Sequence, residues 1–161
     1  MNIYGYCRIS TAKQSIDRQI RNIKAEYPTA HIVQEAYTGT SIFRPEWLKL
    51  YRVLKSGDMV VFDSVSRMSR NAEEGFALYE DLYHKGIRLV FLKEHHIDTE
   101  TYKKALSGSI AMTGTNVDFI LKGINEYLMA LAKEQIKLAF EQSEKEVADL
   151  HQRTREGLLT A

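Results

Sequence analysis

Four short runs of strand character mark the first hundred residues, and helical segments separate them: IYGYCRI at 3–9, HIVQEA at 31–36, DMVVFDS at 58–64 and IRLVFLK at 87–93. Strands that alternate with helices in this way pair in parallel, because a parallel neighbour is reached by a crossover helix and not by a tight hairpin. The third run is apolar on consecutive residues, as a strand covered on both faces requires. The expected fold class is therefore α/β, a small, mostly parallel sheet flanked by helices and followed by a long C-terminal helix. With 161 residues and 44% hydrophobic content the chain is long enough to bury a sizeable core in one domain.

Between the strands, Ile16, Ile20, Ile23 and Tyr27 recur at helical spacing and predict a helix over about 15–27 that Pro28 ends. A small polar loop, AYTGTSIFR, leads to Pro45 at a first-turn position, and Trp47, Leu48, Tyr51 and Leu54 form the apolar face of a helix that stops before Gly57. Asn71 is placed to cap the next helix, with Glu73 and Glu74 in its first turn, Phe76, Tyr79, Leu82 and Tyr83 inward and Gly86 after its end. Residues 95–116 carry a short possible helix at 99–106 and then a Ser/Thr/Gly-rich stretch. From 117 onward more than 40 residues read as helix, with Gly123 and Gly157 as weak points. That is more helix than a small sheet can cover. A second subunit is the simplest cover for Phe119, Ile124, Leu128, Leu131, Leu138, Val147 and Leu150; a break near Gly123 is the alternative. The division expected is 1–116 as the α/β body and 117–161 as the long helix.

No stretch approaches the roughly 18 apolar residues that span a bilayer, and the first residues lack a signal-peptide pattern, so a cytoplasmic protein with no membrane contact is expected. Cys7 is the only cysteine, which excludes an internal disulfide and a cysteine metal cluster. His95 and His96 are adjacent and have no metal-ligand spacing, and GSIAMTGT lacks the lysine of a phosphate-binding loop; no metal and no cofactor is expected. Net charge is +1, but residues 1–70 carry eleven Lys/Arg against six Asp/Glu, whereas residues 71–161 carry eleven against fifteen. The basic half either faces a polyanion or is an ordinary solvated surface.

The first strand ends in YCRIS, where period-2 alternation puts Arg8 and Ser10 on one face. Strand C-termini of α/β sheets are where ligands bind. Taken alone, the pair fits either a phosphate site or a loop serine beside a surface arginine. SVSRMSRN follows the third strand, so Arg67 and Arg70 emerge at the same end of the sheet, and Arg44 precedes the helix at Pro45. Clustered guanidiniums repel one another, so the group calls for an anion, unless each pairs separately with Asp17, Glu46, Asp63 or Glu73. Bidentate arginine bonds match a phosphodiester, and each is worth about 1.5–3 kcal/mol. Ser10 is then the natural nucleophile. No histidine lies near it in sequence, which argues against a Ser/His/Asp hydrolase. Asp58, at the start of the third strand, is a candidate for positioning the arginines; Gln19, at the rim of the first helix's apolar stripe, and Gln14, in the loop, could reach Ser10.

In their order along the chain YCRIS, QSIDRQ, Arg44 after its polar loop, SGD, SRMSR and RTREG at 153–157 match a known set. The chain resembles the catalytic domain of serine site-specific recombinases, the resolvase and invertase family, over nearly its whole length. The resemblance implies that Ser10 attacks a DNA phosphodiester and becomes joined to the 5′ phosphate, releasing a 3′ hydroxyl. Arg8, Arg44, Arg67, Arg70, Gln19 and Asp58 would assist, and Gln14, Arg153 and Arg155 would contact DNA. The linkage conserves the bond energy, so rejoining needs neither ATP nor a metal. It further implies a homodimer that pairs as a tetramer across two DNA sites, with the long helix as the dimerisation element. Two departures stand out: Ser66 occupies the place of the family's usual aspartate, and Glu146-Val147 that of a frequent Glu-Arg. The longer stretch between His95 and Glu146 points towards the large serine recombinase or transposon branch, and the family's sequence-reading module is absent from these residues. A non-catalytic α/β module that binds DNA or a phosphorylated ligand, and a phosphohydrolase, are the competing readings.

Overall fold

The computed structural model describes the backbone of residues 1–9, 13–36, 44–69, 71–107 and 111–160, and their side chains except at 13–15, 105–107, 143–144 and 146–160. The strands β1 (Ile3–Ile9), β2 (His31–Ala36), β3 (Met59–Phe62) and β4 (Arg88–Phe91) pair in parallel in the order β2-β1-β3-β4. The helices are α1 (Lys13–Glu26), α2 (Pro45–Val53), α3 (Val65–Met68), α4 (Ala72–His84), α5 (Thr99–Ser107) and α6 (Asp118–Thr160). The α/β class and the parallel sheet are as expected.

Alternation along β1 divides the core in two. Cys7 packs with Ile16 and Ile23 of α1 and with Met59, Val61 and Val90, whereas Tyr6 packs with Trp47, Phe62, Tyr79, Phe91 and Phe140. One face of the sheet therefore rests on α1, and the other on α2, α4 and α6. Full burial of a side chain such as Ile23 contributes about 1.5–3 kcal/mol. Arg8 has the parity of Tyr6, so it emerges on the α2–α4 side.

Asn71 caps α4 as expected, accepting the Glu74 N–H at 3.0 Å, and Gly86, at φ +77°, follows its end. Three differences from expectation have physical causes. The first helix begins at Lys13, two residues early, because terminal turns are set by caps that periodicity does not report. The single turn α3 is absent from the sequence pattern, since four residues are too few to show a period. The third is a 3-10 turn at His95–Ile97. It brings Asp98 and Thr99 back along the sheet edge, where their side chains accept the N–H groups of Phe91 (2.7 Å) and Leu89 (2.9 Å). Those bonds occupy donors that β4 would otherwise offer to another strand.

The long helix runs unbroken for 43 residues across Gly123, about 65 Å at 1.5 Å per residue. Ile136, Ala139 and Phe140 seat it in the core. Nearer its start, Phe119 (84% exposed), Ile120, Ile124 and Tyr127 (65%) face outward. A groove of about 440 Å3 lies between α5 and α6, lined by Ile97, Tyr102, Leu128, Leu131 and Ile136 among others. Among the described residues no helix is long and apolar enough to cross a membrane.

Candidate active site

β1 pairs with β3 only as far as Tyr6 and Phe62. Two residues on, the Arg8 N–H donates to Gln19 Oε1 (3.1 Å) and the Arg8 carbonyl accepts from Gln19 Nε2 (3.0 Å). The carboxamide thus meets the strand end as a neighbouring strand would. Gln19 is 1% exposed, so it is enclosed within the fold and does not stand at the rim of α1. Asn22, one turn further along α1, donates to Asp63 Oδ1 (2.9 Å) beyond the end of β3. The helix is therefore bonded to two strand ends.

Three of the expected arginines converge on α3. Arg8, itself 8% exposed, donates from Nη2 to the Ser66 carbonyl at 2.5 Å, and Arg44 donates from Nη1 to the Met68 carbonyl. The last carbonyls of a helix have no partner within it, and here guanidinium groups supply two of them. Arg67, carried by α3 itself, donates from Nη1 to the Arg8 carbonyl at 3.3 Å. Ser66, in the place of the family's usual aspartate, contributes its carbonyl to Arg8, while its hydroxyl meets that of Ser64 at 2.7 Å.

Sequence reasoning missed two further residues here. Glu35 lies opposite Arg8 in the β1–β2 register, is buried, and accepts the Trp47 N–H with Oε2 at 3.2 Å, so it caps the start of α2 just after Arg44. Burial raises its pKa, and the Trp47 and Glu46 N–H groups and Arg44 oppose the rise. Tyr6 packs edge-on against Trp47 at 5.1 Å, and burial pushes its phenol up to about 12, with Arg44 pulling the other way. It stays protonated at neutral pH. The available signal was an acid inside a half-buried strand ten residues before a helix start, but alternation reads such an acid as solvent-facing.

Asp58 is not brought to this site. Its Oδ1 accepts the Asn2 N–H (3.0 Å) and its Oδ2 the Lys55 N–H (2.9 Å), and those bonds lower its pKa. It precedes Met59, which pairs with Ile3, five residues from Arg8 and so roughly 16 Å away along the strand. Its carboxylate ties the N-terminal edge of the sheet and is out of reach of the arginines. Ser10 and Arg70 lie outside the described residues, and Gln14, Arg153 and Arg155 outside the described side chains. Among the described residues no group of three or more His, Cys, Asp or Glu side chains is disposed to hold a metal ion.

The molecule is thus a parallel α/β sheet with three guanidinium groups gathered around α3 beyond its strand ends and a single long helix leading away. The chain belongs to the resolvase family, matching the profile described as "Resolvase, N terminal domain" over residues 3–146. It is 26% identical over 159 residues to the transposon Tn21 resolvase of Escherichia coli, covering 95% of this chain and 83% of that one. It is 31% identical over 99 residues to a resolvase of Clostridium perfringens, covering 60% of this chain and 52% of the other. Among solved structures, that of a resolvase family site-specific recombinase from Streptococcus pneumoniae shares the fold, with a TM-score of 0.50 and 20% identity over 99% of this chain and 97% of that one.

Proposed function

We propose that this chain is the catalytic domain of a site-specific DNA recombinase that breaks and rejoins DNA through Ser10. The Ser10 oxygen attacks the phosphorus, the bond from phosphorus to the 3′ oxygen breaks, the serine loses its proton and the 3′ oxygen gains one. The product is a 5′-phosphoserine and a free 3′ hydroxyl, and the reverse step rejoins the strand. Arg8, Arg44, Arg67 and Arg70 neutralise the phosphate and the charge that develops on it. The observation that carries the reading is the convergence of Arg8, Arg44 and Arg67 on α3 at the end of β1. Gln19 serves by fixing the Arg8 backbone.

The partners are DNA and further copies of the chain. The exposed apolar start of α6 is the dimerisation face, and dimers pair as a tetramer across two sites. Gln14, Arg153 and Arg155 face the DNA.

A denaturing gel of the full-length protein mixed with a supercoiled plasmid bearing the DNA around its own gene tests the chemistry. Covalently attached DNA is expected with the wild type and none with Ser10→Ala. An adduct that survives in Ser10→Ala removes Ser10 from the role.

A further inference from the structure

We propose that Glu94 is a positioning residue of this site: its carboxylate holds the first residue of α3, and through that turn it sets where the guanidinium groups of Arg8, Arg44 and Arg67 stand. The assignment rests on the recombinase reading for its functional meaning and on the geometry for its mechanism.

A four-residue helix cannot hold its place by its own hydrogen bonding, since a first turn fixes more dihedral angles than its bonds repay. Nor does α3 have a local cap. Ser64, at the cap position, has extended backbone and makes no side-chain cap bond; its hydroxyl is engaged with Ser66. The Val65 N–H is instead taken by Glu94 Oε2 at 3.0 Å, from 29 residues further along the chain. The sheet delivers that carboxylate. Backbone bonds from Leu92 N–H to the Phe62 carbonyl (3.0 Å) and from Lys93 N–H to the Asp63 carbonyl (3.1 Å) extend the β3–β4 ladder, and Glu94 is the next residue beyond them. Val65 is 1% exposed, so loss of the carboxylate leaves its N–H on a buried residue without this acceptor. Burial raises the Glu94 pKa, and the Val65 N–H and Lys93 oppose the rise, so the acid is held where it is costly to keep charged.

The rest of the turn is the hub of the site. Ser66 gives its carbonyl to Arg8, Arg67 reaches the Arg8 carbonyl, and Met68 gives its carbonyl to Arg44. All three arginines are thus referenced to one turn whose starting point is fixed from β4. Asp63, two residues before Val65, accepts from Asn22 and pairs with Lys93, and so ties α1 to the strand end.

The test uses the 161-residue chain and NMR of the arginine Nε–Hε groups, which needs no DNA. Glu94→Ala is expected to shift the Val65 amide together with the side-chain signals of Arg8, Arg44 and Arg67. Glu94→Gln, which keeps a carbonyl acceptor at the same reach, is expected to restore all four. If the alanine variant does not fold, Glu94→Asp, shorter by one methylene, takes its place with a smaller shift in the same set. A change confined to Val65, or a failure of Glu94→Gln to restore the arginine signals, overturns the proposal. In the gel assay with the same plasmid, Glu94→Ala is expected to give roughly 10-fold to 100-fold less adduct, with Glu94→Gln near wild type and native-gel retention of the plasmid equal in all three. A wild type that forms no adduct removes the recombinase reading, and the NMR signals still decide whether Glu94 places the turn.

Discussion

At the scale of single residues, Gln19 and Asp58 exchange the importance that their motifs suggest. The Gln19 carboxamide bonds both the N–H and the carbonyl of Arg8 in a buried setting. Gln19→Ala leaves a buried N–H deprived of this acceptor and should destabilise the fold by about 2–4 kcal/mol, measured by urea denaturation. Gln19→Glu keeps the acceptor but sets a buried carboxylate oxygen against the Arg8 carbonyl, so a loss at least as large is expected at neutral pH. Asp58, by contrast, belongs to the far edge of the sheet. Its folded-state pKa lies below the unfolded value of about 3.9, so the stability it contributes is present above that pH and is lost as pH falls through the lower folded value. Thermal melts should show Asp58→Asn less stable than the wild type at neutral pH, with the difference closing in acid. Adduct formation by Asp58→Asn at a temperature where it is folded should match the wild type within about twofold, the scatter of independent distant sites. A larger loss would return Asp58 to the site. The sequence singled out Gln19 but placed it at the rim of the first helix, whereas it is enclosed at the end of β1. Asp58 stands at the start of the third strand, and in a parallel sheet that end lies opposite the edge where Arg8 emerges, so strand polarity already placed it away from the arginines.

At the scale of elements, the seating of α6 depends on Gly75. A Cβ there would lie 2.5 Å from the Phe140 ring, closer than real contacts come. In an exposed helix Gly→Ala stabilises by about 0.5–1 kcal/mol; here overpacking should win, and Gly75→Ala is expected to destabilise by about 1–3 kcal/mol. Adding Phe140→Leu should recover part of the loss, a sign of direct coupling that a double-mutant cycle of melting curves would reveal. The four strands, α1, α2, α4 and the length of α6 were legible, the helices because a period repeats over several turns and the strands because each is a short apolar or β-branched run between helical segments. The turn α3 was not, though it holds the site together. Its position comes from Glu94 and the β3–β4 ladder, contacts that local sequence does not contain.

At the scale of the whole molecule, α6 presents apolar side chains on a helix about 65 Å long that the α/β body covers only in part. A second copy laid against the same face satisfies both helices, since a two-fold interface is self-complementary. Sedimentation equilibrium should therefore find a dimer. Phe119→Asp with Tyr127→Asp should shift it to monomer without lowering the melting temperature at high dilution, because both side chains are exposed in the single chain. A monomeric wild type at high micromolar concentration would remove this face from the dimer reading.

By itself the sequence determined the α/β class, the parallel sheet, the long helix and the arginines that gather at one end, because periodicity and strand polarity place whole elements and the side chains at their ends. Only the tertiary structure decided how those side chains are held. Gln19 replaces a missing strand, Glu35 caps α2 beside Arg44, Glu94 fixes α3, and Asp58 is spent at the opposite edge. Each is a hydrogen bond between groups distant in sequence, or set by which end of the sheet a loop occupies. Such bonds form because a buried polar group left without a partner is costly, and the partner is chosen by the packing.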